Sequence, residues 1–253
     1  MSSLSYVIDG YGNQHTISGV ASSSELPFVA VAHRGLFGGT IKENTLEALV
    51  NAYENGYTAV ELDVRLTSDS VYVLNHDAYI TVDSVQYNIA DYTYEELLAL
   101  FPSLTLLDDA LEYCYRKNLT VVLDCKAVNT DIAEHVCAFG CNGRTHYNGG
   151  DATSIKAIDG KAKFHVPVNT SNDYSSWLTS FSKEEIILTV SASTLETYAE
   201  NIAYANNNGF SLYVWNTTAG YETVALETYA DFHEPNSGYE ATFIKNAKAW
   251  AES

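Results

Sequence analysis

The strongest constraint on the fold is a pattern that recurs three times: a short β-rich run whose charged residues all fall on one face. In Val29-Ala30-Val31-Ala32-His33, strand alternation places His33 with Val29 and Val31 at the end of the run. In Ala59-Val60-Glu61-Leu62-Asp63-Val64, Glu61 and Asp63 share one face while Val60, Leu62 and Val64 take the other. Val121-Val122-Leu123-Asp124-Cys125-Lys126 repeats the arrangement, with Asp124 and Lys126 opposite Leu123 and Cys125. The apolar faces can pack on helices. Adjacent anions on the other face repel each other and resist desolvation unless a cation lies between them. Strands covered on one side and carrying polar residues at their C-terminal ends suit an α/β barrel, which gathers its chemistry at that rim.

The rest of the chain continues the alternation. Strands are expected at 29–33, 58–64, 119–126, 143–147, 163–166, 185–190, 210–215 and 228–232, with a short extended piece at 71–75. Helices are expected at 43–55, 94–101, 107–117, 130–139, 151–159, 194–207, 217–227 and 238–251. Asn55-Gly56 supplies a C-terminal cap for the first helix and Thr93 with Glu96 a capping box for the next. Eight strands favour a closed sheet, and 253 residues is near the ~250 usual for a (β/α)8 TIM barrel. The expected organisation is such a barrel over residues 26–253. Residues 1–25, polar and rich in Ser and Gly, form a short N-terminal extension or hairpin, read as a junction for attachment to another module.

Charge narrows the partners. Thirteen basic residues against 32 acidic ones leave a net charge of −19, which disfavours nucleic acid and anionic membranes, since both bind clustered Lys and Arg. No apolar run approaches the ~20 residues that cross a bilayer, and the N-terminus lacks a basic region followed by an apolar core. The expectation is a soluble chain without a signal peptide, cytoplasmic or associated with a cell or phage surface. Cys114, Cys125, Cys137 and Cys141 contain no CxxC pair and so no zinc pattern. Cys125 reads as a buried thiol on the outer barrel face. Cys137 and Cys141 are read as reduced, although an oxidising compartment would allow them to bridge.

The polar residues at the strand ends form a coherent inventory. His33 and His76 can exchange protons with a substrate, and Asp77 can orient the His76 ring. Glu61, Asp63 and Asp124 can hold a hard divalent cation. Arg34 and Lys126 can grip phosphoryl oxygens and reverse the local potential of an acidic protein. That combination suits cleavage of a small phosphodiester.

Taken in order, His33-Arg34-Gly35, Glu43-Asn44-Thr45, Glu61-Leu62-Asp63-Val64, Thr67-Ser68-Asp69, His76-Asp77 and Tyr213-Val214-Trp215 resemble the glycerophosphodiester phosphodiesterase family. The resemblance is strong over residues 29–126 and thin afterwards. It implies a (β/α)8 barrel, one divalent cation (Ca2+ or Mg2+) and catalysis by two histidines, here His33 and His76. The implied reaction is hydrolysis of a glycerophosphodiester to glycerol 3-phosphate and an alcohol, with a glycerol hydroxyl of the substrate able to act as the attacking group.

The chain departs from the family pattern at Asp124, where the family usually carries the longer glutamate, and after Asp77, where Ala78-Tyr79-Ile80-Thr81-Val82-Asp83 replaces a basic, Thr- and Gly-rich stretch. Glu43 is read either as a site residue or as an acid favoured early in a helix, and Trp215 either as a substrate contact or as core. His165 and His233 read as structural or exposed, and Asp231–Pro235, a loose match to the family's closing acidic motif, is left outside the site. Two alternatives stay open: a lipid phosphodiesterase resembling sphingomyelinase D, and a non-catalytic module recognising glycerol phosphate polymers at a cell or phage surface.

Overall fold

The computed structural model describes residues 6–8, 14–16, 26, 28–228, 230–236 and 239–251. Eight parallel strands close into a barrel: β1 (Val29–Ala32), β2 (Ala59–Leu66), β3 (Thr120–Ala127), β4 (Thr145–Asn148), β5 (Lys163–Pro167), β6 (Ile186–Ser191), β7 (Ser211–Thr217) and β8 (Phe232–Pro235). Each pairs with its neighbour in sequence, and β8 returns to β1 through Phe232 opposite Val29. The register sets Asp63 beside Asp124 and Asp124 beside Asn148, which brings three polar strand ends to one level of the rim.

Alternation then sorts the core into two layers. Val60, Leu62, Val64, Val121, Leu123, Leu212 and Val214 point outward and pack with helix residues such as Leu49, Leu111 and Val136 in the main apolar layer. A smaller cluster of Val31, Ala59, Val122, Ile187 and Tyr213 plugs the bore beneath the rim. The rim is thus polar above a packed floor. Cys125 packs against the outer layer, and Cys137 and Cys141 are both free thiols.

The first helix, Leu46–Glu54, starts three residues later than expected because Thr45 caps it, accepting from the Ala48 N–H, while Asn44 takes a left-handed conformation. Glu43 therefore lies before the helix and is not an acid of its first turn. At the other end Asn55 and Gly56 close the helix as expected, and Thr93 and Glu96 form the expected capping box of Tyr94–Leu100. Asp151 caps Ala152–Ile158 by accepting from Thr153 and Ser154.

The short extended piece expected at 71–75 is Tyr72–Leu74, which adds an antiparallel strand to β2; other elements depart from expectation, beginning with a hairpin of Tyr79–Val82 with Val85–Asn88 that follows it. A short helix, Ser175–Leu178, lies between β5 and β6. The last strand begins at Phe232 instead of 228, because Thr228 caps the preceding helix and Asp231 is tied between β7 and β1. The Asp231 carboxylate accepts from the Leu212 N–H and its carbonyl from the Val29 N–H. At the N-terminus Tyr6–Ile8 pairs antiparallel with Gln14–Thr16; the remainder of residues 1–25 lies outside the described residues.

Candidate active site

The C-terminal rim encloses a cavity of about 310 Å³, at the small end of the ~300–1,000 Å³ typical of small-molecule sites. His33, Arg34, Glu61, Asp63, His76, Asp124, Lys126 and Trp215 all line it. Eight of the nine residues singled out from sequence thus share one cavity. The ninth, Glu43, stands behind it: both of its carboxylate oxygens accept from Arg34 Nη1 at 3.0 Å, and it lines an adjoining pocket with Lys42, His76, Asp77 and Phe101.

Local chain geometry positions the first cluster. Arg34 and Gly35 both take positive φ where the chain leaves β1, and Gly35 lies so close to the first helix that a Cβ would meet Ala48 at 2.8 Å. That tight exit turns the Arg34 backbone N–H onto Glu61 Oε2 at 3.0 Å and brings Arg34 Nε to 3.1 Å from Asp63 Oδ2, out of hydrogen-bonding line. Asn44, in the same loop, donates to Asp63 Oδ2 at 2.8 Å. On β3, Lys126 Nζ lies 2.6 Å from Asp124 Oδ2 and 3.2 Å from Asp63 Oδ1.

Glu61, Asp63 and Asp124 each present an oxygen within 4.8 Å of the others, and Glu61 and Asp63 are almost wholly buried. Burial, then repulsion from Asp63 and Glu234, pushes the Glu61 carboxyl well above the usual carboxylate range. A convergent, oxygen-only and desolvated donor set fits a hard divalent cation. Although burial opposes its charge, Lys126 is held above its ordinary range by Asp124 and Asp63, and so remains a fixed cation.

The two histidines differ. His33 lies mostly buried, 4.0 Å from Glu61 and 3.7 Å from Glu234, and burial followed by Arg34 lowers it to about 4. It is neutral at neutral pH. His76 is more open, and its Nδ1 meets Asp77 Oδ1 at 2.9 Å, fixing the ring so that Nε2 can face the cavity. Arg65, on the same strand face as the carboxylates, is diverted from them: its Nε donates to the His76 carbonyl at 3.0 Å.

Residues 33–103 match the glycerophosphoryl diester phosphodiesterase family. Over that segment the chain is similar to the family. The matched segment holds His33, Arg34, Glu43, Glu61, Asp63 and His76, and stops short of Asp124 and Lys126. Glycerophosphodiester phosphodiesterase 1 of Mus musculus is 38% identical over 112 residues, 38% of this chain and 33% of the mouse protein; the Homo sapiens protein is 36% identical over the same length. The chain spans about a third of the length of these relatives. Among solved structures, a glycerophosphodiester phosphodiesterase of Parabacteroides distasonis has a TM-score of 0.73 at 19% identity, covering 89% of this chain and 99% of that one. An Oleispira antarctica phosphodiesterase in complex with the product sn-glycerol-3-phosphate has a TM-score of 0.65 at 20% identity, covering 89% and 98%. At such identities the likeness to these two structures shows the barrel fold alone.

Several cavity residues escaped the sequence reading. Glu234 lines the cavity, accepts from the Tyr213 hydroxyl, and is raised by burial to about 7. The sequence places Glu234 outside the site with Asp231–Pro235, but the last strand runs over Phe232–Pro235 and so puts Phe232 and Glu234 on the inner face. His165 and His233 are not exposed: His165 borders the cavity, whereas His233 packs outside the barrel against Phe28 and Phe243. Asn44 falls within the Glu43-Asn44-Thr45 motif, but nothing local in the sequence signals that it reaches Asp63.

Proposed function

We propose that this chain hydrolyses glycerophosphodiesters to glycerol 3-phosphate and an alcohol, in the manner that its similarity to that family suggests. The observation that carries the reading is the meeting in one cavity of three carboxylates, two fixed cations and two histidines of different character. Glu61, Asp63 and Asp124 would hold one divalent cation, Ca2+ or Mg2+. When bound, that cation supplies Lewis-acid polarisation of a phosphoryl oxygen.

The chain's own groups do the rest. Arg34, braced by Glu43, and Lys126, braced by Asp124, present fixed positive charge to the remaining phosphoryl oxygens. His33, neutral through burial, takes a proton from the attacking hydroxyl, whether of water or of the substrate's glycerol. His76, oriented by Asp77, returns a proton to the departing alkoxide. Trp215, 44% exposed at the mouth, offers an apolar face to the substrate. The strongly acidic surface leaves a small diester as the partner in place of nucleic acid. Within the described residues no helix is long and apolar enough to cross a membrane; a cytoplasmic or surface-associated setting and a part in phospholipid-derived diester turnover go with this reading.

Turnover of glycerophosphocholine and glycerophosphoethanolamine, with calcium or magnesium and after chelation, tests the proposal. Release of glycerol 3-phosphate that disappears with chelator and returns with cation is expected. Binding of glycerol phosphate polymers without release of product would instead favour a recognition module, and cleavage confined to lipid substrates a sphingomyelinase D-like enzyme.

A further inference from the structure

The cavity has two unlike halves. Its β1–β3 side carries the charges already described. Its β4–β7 side is uncharged and is lined by Asn148, His165, Thr189 and Tyr213, each from the inner face of a different strand. His165 is only 8% exposed, yet its Nε2 has no hydrogen-bond partner, an unfavourable state for a buried polar nitrogen. Its ring packs 4.6 Å from that of Tyr213, whose hydroxyl is committed to Glu234. Behind it, His146 is also buried but does not border the cavity. The side chains of Thr189 and Asn148 make no hydrogen bond among the described residues.

We infer that His165, with Thr189 and Asn148, is a specificity-determining wall that hydrogen-bonds the hydroxyls of the uncharged polyol arm esterified to the phosphate. The inference rests on the phosphodiester reading above and adds which arm of the diester lies where. A neutral imidazole is suited to this, since it can donate or accept toward a hydroxyl without attracting a counter-charge, and burial holds His165 far below its ordinary range, at about 3. The adjoining pocket, by contrast, carries Lys42, Glu43 and Asp77 and suits a charged leaving group. With the phosphate against Arg34 and Lys126, the polyol arm meets His165 and the leaving alcohol passes His76, which borders both pockets.

Affinity for glycerol 3-phosphate compared with n-propyl phosphate, measured by calorimetry on the cation-loaded full chain, tests the wall directly. The parent protein is expected to prefer glycerol 3-phosphate by roughly tenfold or more, because a site built to bond hydroxyls rejects the ligand lacking them. His165→Phe should erase most of that preference while keeping n-propyl phosphate affinity, and Thr189→Val, close in shape, should reduce it. Equal affinities in the parent, or a preference intact in both variants, would overturn the inference. The catalytic reading fails separately: a preference without glycerophosphodiester turnover upholds the wall and removes the hydrolase, whereas turnover without a preference does the reverse. If His165→Phe does not fold, the Thr189→Val comparison carries the test.

Discussion

Asn44 and Asp63 exchange two hydrogen bonds: the Asn44 amide donates to Asp63 Oδ2 at 2.8 Å, and the Asp63 backbone N–H donates to Asn44 Oδ1 at 3.0 Å. Both residues are buried. The pair ties the loop after β1 to the rim of β2 and fixes the rotation of a carboxylate that also faces Arg34 and Lys126. Because Asn44 sits at a φ of 55°, Asn44→Gly removes the amide without straining the backbone. Partners of this kind typically affect metal affinity by 10–100-fold, so a loss of about that size is expected in a calcium titration. Unchanged affinity would mean that Asp63 keeps its orientation without Asn44.

Cation binding should depend on pH with a definite sign. The Glu61 carboxyl lies well above the usual range through burial and then Asp63, and it must give up its proton to act as a ligand. Affinity should therefore rise as the pH rises above the ordinary carboxylate range, with proton release on binding. Calorimetry in buffers of different ionisation enthalpy measures that release. Asp63→Asn should weaken binding at every pH, and Asp124→Glu, which reaches one methylene farther, should bind the cation at least as tightly as the parent.

His33→Ala and His76→Ala should each lower kcat on glycerophosphoethanolamine by roughly 100-fold or more, the usual worth of general acid–base assistance. The double variant should lose far less than the product of the two, since both groups serve one transition state. Asp77→Asn, which only reorients His76, should cost less than His76→Ala. Near-parental kcat in either alanine variant removes that histidine from the proposed chemistry.

His233 provides a stability test away from the cavity. Buried against Phe28 and Phe243, it is held at about 4 against an ordinary 6.5 by desolvation. Between those values the unfolded chain binds a proton that the folded one refuses, so this contribution is present above 6.5 and is lost as the pH falls toward 4. His33 and His165 act in the same direction, whereas the raised carboxyls of Glu61 and Glu234 act oppositely and mask part of the effect in the parent. In denaturant unfolding, His233→Phe should gain on the parent by roughly 1.4 kcal/mol for each pH unit descended through that window. A constant difference between the two proteins would mean that His233 is protonated in the fold.

The candidate site was legible wherever it depended on strand alternation. His33, Glu61, Asp63, Asp124 and Lys126 each stand at the inward positions that a period of two assigns, and closing eight strands carried them to one rim. The illegible part depended on register and on loops. Thr228-Tyr229-Ala230-Asp231-Phe232 reads as a strand on propensity, but Thr228 ends a helix and the Asp231 carboxylate is bonded to Leu212, so the strand begins at Phe232 and Glu234 enters the cavity.

By itself, then, the sequence determined the alternation of strands and helices, the inward face of each well-marked strand, the acidic character of the molecule and the motifs that carry its resemblance to the phosphodiesterase family. These are local or summed properties, set by a side-chain period of two, by caps within a few residues, and by charge count. Only the tertiary structure decided that Glu43 braces Arg34 from outside the cavity, that Asn44 orients Asp63 from 19 residues away, and that His165 and Glu234 border the same space as His33. Those relationships exist because barrel closure brings β8 back against β1 and leaves the β4–β7 strand ends facing β1–β3 across the bore. No stretch of sequence short enough to show a pattern contains both sides of that space.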